Sequence, residues 1–87
     1  MKHKFEVTFT VTAKIELDDD VITAVDSEWR SQFYNLDSIN DIAEHIAYNL
    51  LRGASLSRLD GWADQPDTNA RLLDEDWELD EVDEVTK

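Results

Sequence analysis

From Phe5 to Leu17 the chain alternates without a break: Phe5, Val7, Phe9, Val11, Ala13, Ile15 and Leu17 are apolar, while Glu6, Thr8, Thr10, Thr12, Lys14 and Glu16 are polar. A period of two predicts a strand with one buried and one wet face. Thirteen residues at ~3.3 Å each span ~43 Å. A compact domain of 87 residues has a radius of gyration of ~12 Å and so a diameter of roughly 30 Å. The strand therefore bends strongly, overhangs the body or pairs with another chain. No Gly, Pro or Asn interrupts it to form a hairpin turn.

Asp18-Asp19-Asp20 ends the alternation with carboxylates suited to a helix N-terminus, where they accept orphan N–H groups and complement the dipole. Ile22, Val25, Trp29 and Phe33 then recur at three- and four-residue steps, predicting one helix to about Tyr34. Asn35-Leu36-Asp37-Ser38 reads as a turn. Ser38 with Asp41 resembles a variant capping box, and Ile39, Ile42, Ala43, Ile46, Ala47 and Leu50 form the apolar stripe of a second helix that Gly53 closes. Beyond it, Leu56, Leu59 and Trp62 are apolar steps in a loop or short helical turn, with Asp60-Gly61 and Gln65-Pro66-Asp67 as turn signals. From Leu73 a second alternation, Leu73, Glu75, Trp77, Leu79 against Asp74, Asp76, Glu78, Asp80, predicts a second strand.

These elements predict an α+β fold in β-α-α-β order, a small antiparallel sheet with two helices packed on one face. Residues 1–73 form the domain, and residues 74–87 an acidic segment, a strand followed by a short disordered tail. A two-stranded sheet is marginal, so an extra strand near Leu56, or strand pairing between two copies, is expected to complete it.

The formal net charge is −13, and between Asp60 and Glu84 the only base is Arg71. Such a chain repels nucleic acid and anionic membranes, so its expected partners are basic. B-form DNA carries one charge per ~1.7 Å of axis, so thirteen charges match ~22 Å of duplex. The charge density is DNA-like. Without cysteine there is neither a disulfide framework nor a thiolate metal site. The first residues contain no apolar run of a signal peptide and no segment reaches the ~20 apolar residues of a membrane span, which points to the cytoplasm.

No catalytic constellation stands out. Carboxylate pairs are everywhere, and a shared acidic surface does not push two pKa values apart as acid/base chemistry requires. A calcium loop starting at Asp74 would place Leu79 and Val85 where Gly and Glu are needed. His3 is expected in solvent, and His45 on the polar stripe of its helix, its pKa raised by Asp41 one turn earlier. Phosphate-binding Gly loops and nucleophile elbows are lacking. The expectation is a binding protein without catalytic, cofactor or metal residues.

The candidate partner-binding residues are Asp74, Glu75, Asp76, Glu78, Asp80 and Glu81 on the second strand, extended by Asp60, Asp64 and Asp67 from the preceding loop. On a strand, Asp74, Asp76, Glu78 and Asp80 project from one face at ~6.7 Å intervals. Trp29 is expected in the core. Trp62, beside Gly61 in an acidic loop, is a candidate interface anchor, and Trp77 is expected to pin the acidic run to the body.

The stretches Glu28-Trp29-Arg30-Ser31-Gln32-Phe33-Tyr34, Glu44-His45-Ile46-Ala47-Tyr48-Asn49-Leu50 and Leu59-Asp60-Gly61-Trp62-Ala63-Asp64 resemble small uncharacterised proteins of bacteriophages and prophages. By size and acidity the chain also resembles phage anti-defence proteins, the anti-CRISPR and antirestriction DNA mimics. That second resemblance implies an inhibitor in the bacterial cytoplasm that occupies the basic surface of a nucleic-acid-binding defence or DNA-processing protein. The alternative is a dimeric interaction or regulatory module whose acidity serves only solubility.

Overall fold

The computed structural model describes residues 1–85. The chain runs β1 (Lys4–Leu17), α1 (Asp19–Thr23), α2 (Ser27–Gln32), α3 (Ile39–Leu51), two 3-10 turns at Leu56–Arg58 and Asp67–Asn69, and β2 (Ala70–Val85). The fold is α+β with a two-stranded antiparallel sheet. Its order departs from the expected β-α-α-β, because the first helix is two. Asp26 breaks it by turning its carboxylate onto the backbone N–H of Trp29 at 2.9 Å, an N-cap that restarts the helix. Of the expected stripe Val25 and Trp29 are buried, but Ile22 is only half-buried and Phe33 is exposed, while Val21, outside the stripe, is fully buried, because the break re-aims the helix.

The core lies among the helices and turns. Val21, Trp29, Ile42, Ile46, Leu56 and Trp62 are buried there, and Ala70 at the start of β2 joins them. Two tryptophans form its centre, with ring centroids 4.8 Å apart. Their polar atoms are paired as buried indoles require: Trp62 Nε1 donates to the Val21 carbonyl at 3.1 Å and Trp29 Nε1 to the Gly61 carbonyl at 2.9 Å. Gly61, at φ 96°, cannot be replaced cheaply, since a Cβ there would lie 2.5 Å from the Trp29 indole.

Helix α3 is capped as its sequence suggests. Ser38 Oγ accepts from the Asp41 N–H at 3.1 Å. The Asp41 carboxylate reaches back to the N–H of Asp37 at 3.2 Å, one residue before the cap. At the other end Gly53 (φ 88°) donates to the Leu50 carbonyl, and Ala54 to that of Asn49, closing the helix as a Schellman motif.

β1 pairs with β2 along its whole length, from Lys4 opposite Val85 to Leu17 opposite Ala70. No strand forms near Leu56, where a 3-10 turn stands instead. Among the described residues the sheet is thus a bare ribbon, completed neither by a third strand nor by the helices, which lie against its base. There Leu17 packs on the core and Ala13, Ile15 and Leu72 are half-buried, whereas every residue from Lys4 to Thr12 is exposed, so the face of β1 expected to be buried is in water from Phe5 to Val11, where no helix of the body reaches it. A 14-residue strand at ~3.3 Å per residue is ~46 Å long, and the long axis of the molecule is 51 Å against 27 and 22 Å across. The strand overhangs the body.

β2 has 16 residues against the 14 of β1. The two extra ones, Leu73 and Asp80, lie at bulges without a cross-strand partner. Each bulge shifts the alternation by one residue. Ala70 and Leu72, then Trp77 and Leu79, then Val82 therefore all face the same way as the apolar side of β1, although their sequence positions change parity twice. The strand begins before the expected Leu73 and runs to Val85. The expected boundary at residue 73 thus falls inside β2, and the expected tail is strand through Val85, its last two residues lying outside the described ones.

Candidate interaction surface on the acidic face of the ribbon

Register sorts the acids of the ribbon between two faces. On the polar face stand Asp74, Asp76, Glu78, Glu81 and Asp83 of β2, with Glu6 and Glu16 of β1. The bulged Asp80 joins this face, its carboxylate accepting a hydrogen bond from the Thr10 hydroxyl. The cations on this face are Lys4 at the tip and Lys14 and Arg71 near the base, where Arg71 lies 3.6 Å from Glu16. The stretch between holds carboxylates and threonines. Same-face neighbours along β2 are ~6.7 Å apart, and the bulge at Asp80 restores the row at Glu81 instead of ending it.

Six of the candidate residues stand on the ribbon, and five share its acidic face. Glu75 does not: it lies opposite Ala13 on the apolar face, where it accepts a hydrogen bond from Trp77 Nε1 at 2.9 Å. Asp60 and Asp64 occupy exposed turns of the body rather than the ribbon. Asp67 already has a structural task. Hydrogen bonds from the Ser57 hydroxyl and N–H, the latter at 2.9 Å, tie the two 3-10 turns together and hold its carboxyl below the usual range. Glu6, Glu16 and Asp83 belong to the face but escape a reading of β2 alone. The pairing of the strands is what brings them in.

Two tryptophan expectations are overturned. Trp62 is no interface anchor, being 1% exposed at the heart of the core. The acidic residues around it stand on turns that face water while the indole points inward. Trp77 does not pin the acidic run to the body. It is 54% exposed and meets Phe9 of β1 edge-on, with ring centroids 6.2 Å apart. The acidic row is held by backbone pairing with β1.

His45 also differs from expectation. Its ring is tilted against those of Tyr34, at 4.4 Å, and Trp62, at 6.0 Å, and its Nε2 is buried with no hydrogen-bond partner among the described residues. Desolvation lowers its pKa below the ordinary 6.5, the reverse of the shift expected from Asp41, which is engaged at the helix cap. His45 lines an open cleft of about 500 Å³ with Asn35, Leu36, Asp41, Glu44 and Tyr48. No group of three or more His, Asp or Glu among the described residues is placed to hold a metal. No described helix is long and apolar enough to cross a membrane.

Comparison with protein families, curated proteins and solved structures finds no match. The functional reading therefore rests on geometry and charge.

Proposed function

We propose that this chain is a non-enzymatic inhibitor that presents the acidic face of its ribbon to the basic surface of a bacterial nucleic-acid-binding protein, a DNA mimic of the anti-defence kind. The observation that carries the proposal is the separation of charge by face: a row of carboxylates projects from the body, and the cations of that face lie at its ends. A basic cleft that reads phosphates by Lys and Arg responds to such a field over its whole length, and low-dielectric walls focus it. Asp60 and Asp64 would widen the field from the body. The competing reading is a dimeric module whose acidity serves only solubility, and the uncovered apolar side of the ribbon favours its dimeric half.

The test is neutralisation at constant shape. Bacterial proteins retained on heparin are passed over the immobilised chain and over a variant carrying Asp74→Asn, Asp76→Asn, Glu78→Gln and Asp80→Asn. Retention by the native chain, release by duplex DNA at fixed ionic strength, and loss in the variant are expected. Retention should weaken steeply with salt, because exposed charges are screened over ~8 to 10 Å near physiological ionic strength. Equal retention by the variant, or indifference to DNA, would overturn the proposal.

A further inference from the structure

The opposite side of the ribbon has no cover. Phe5, Val7, Phe9, Val11, Trp77, Leu79 and Val82 share it, each between 36% and 58% exposed. With large side chains offering 150–250 Å² apiece when fully exposed, this stripe leaves roughly 600 Å² of apolar surface in water. That is the upper end of what a monomer ordinarily shows, about 300–600 Å².

We infer that this face is the contact surface for a second copy of the chain, two ribbons packing apolar face to apolar face about a two-fold axis. Complementarity points to a second copy. A twisted two-stranded ribbon is matched by another of the same twist, as in the two layers of a β-sandwich spaced ~10 Å apart. The contact is self-complementary, as an isologous interface requires. Two such stripes bury about 1,200 Å² in total, the lower bound for a specific and stable association.

Charge permits it in spite of the chain's −13. The acidic rows lie on the outer faces of the pair, separated by two sheet layers, which exceeds the ~8 Å screening length at physiological salt. On the apolar face itself the acids are at the ends of the stripe and both have partners: Glu75 accepts from Trp77 Nε1, and Glu84 lies 2.7 Å from His3 Nδ1. Between them the stripe is uninterrupted. A basic or polar partner would find nothing to pair with there. The expected edge-to-edge pairing of β1 is less favoured, since it would leave the apolar stripe in water.

The inference stands apart from the proposed inhibition and is tested without any target. Sedimentation equilibrium of the full chain at tens of micromolar should give twice the monomer mass. Phe9→Thr with Leu79→Thr keeps β-branched strand formers on a cross-strand pair while removing apolar bulk. It should give the monomer mass, with the circular dichroism and thermal transition of the helical body retained. Thr10→Val on the opposite face is the control and should leave the dimer intact. A native chain monomeric at these concentrations overturns the inference, as does a dimer that survives the double substitution, which would assign the contact to a strand edge or the body.

Discussion

The body and the ribbon order the same chain by different means. In the body, two tryptophans, a helix of three turns and four smaller apolar residues bury one another, and each buried indole N–H has a carbonyl. In the ribbon beyond Ala13 no side chain is buried, and order comes from the backbone ladder and cross-strand pairs such as Phe9 with Trp77. The radius of gyration, 16.6 Å, against ~12 Å for a compact chain of this length, measures the difference. Side-chain packing thus defines the fold of the body, whereas the ribbon's geometry is carried by register and leaves its side chains free for other molecules. An exposed apolar face on one side and an acidic face on the other follow from that.

Tryptophan truncation should expose the contrast most. Trp62→Ala removes the centre of the core and orphans the Val21 carbonyl, so a loss of about 3–5 kcal/mol is expected from denaturant unfolding. Trp77→Ala, measured in dilute solution where the chain is monomeric, should cost about 1 kcal/mol, the worth of an exposed edge-on aromatic pair. Comparable losses would show that ribbon and body fold as one packed unit.

A smaller effect tests the helix break. Asp26→Ala removes the acceptor for the Trp29 N–H and should destabilise the body by about 1 kcal/mol in thermal unfolding. An unchanged transition would mean that the chain runs through 24–26 as a continuous helix.

The smallest expected effect is the pH response of the core. His45 has a folded-state pKa lowered by burial, so its neutral form is favoured and the unfolded chain binds the extra proton. Its contribution is fully present above about 6.5, the unfolded value. It is lost as pH falls from there through the lowered folded pKa. Asp41 and Glu44 line the same cleft, but burial sets the direction of the shift. His45→Gln should flatten the stability profile in this window while leaving the ribbon's amide-exchange protection unchanged. A profile of undiminished slope would assign the dependence to other groups.

Local features are legible in the sequence: the alternation of β1, both ends of α3 with its apolar stripe from Ile42 onward, and the acidic excess; Ile39, 62% exposed, and the uncovered apolar face of β1 are not. Each depends on contacts within a strand or within one or two helical turns, where spacing and capping chemistry are sufficient. The burial of Val25 and Trp29 likewise follows from their four-residue spacing, whereas that of Val21 in place of Ile22 depends on the helix break at Asp26. The candidate site was half legible. Asp74, Asp76 and Glu78 keep step within one uninterrupted run and Glu75 falls on the other face as its alternation implies, but Glu6, Glu16 and Asp83 escape a reading of β2 alone, because a face is a property of two paired strands.

The sequence by itself determined that one long strand exists, that it is too long for a compact body, and that the chain is strongly acidic. Only the tertiary structure decided where that strand goes, which acids share a face and which tryptophan is core. Bulges at Leu73 and Asp80 rephase β2 because its apolar residues must follow the apolar side of β1, a constraint imposed by a partner some sixty to seventy residues away in the chain. Trp62 is buried because Trp29, Val21 and Gly61 converge on it from separate segments. Periodicity carries no information about such convergence, since burial is settled by which surfaces meet and not by the residues next in line.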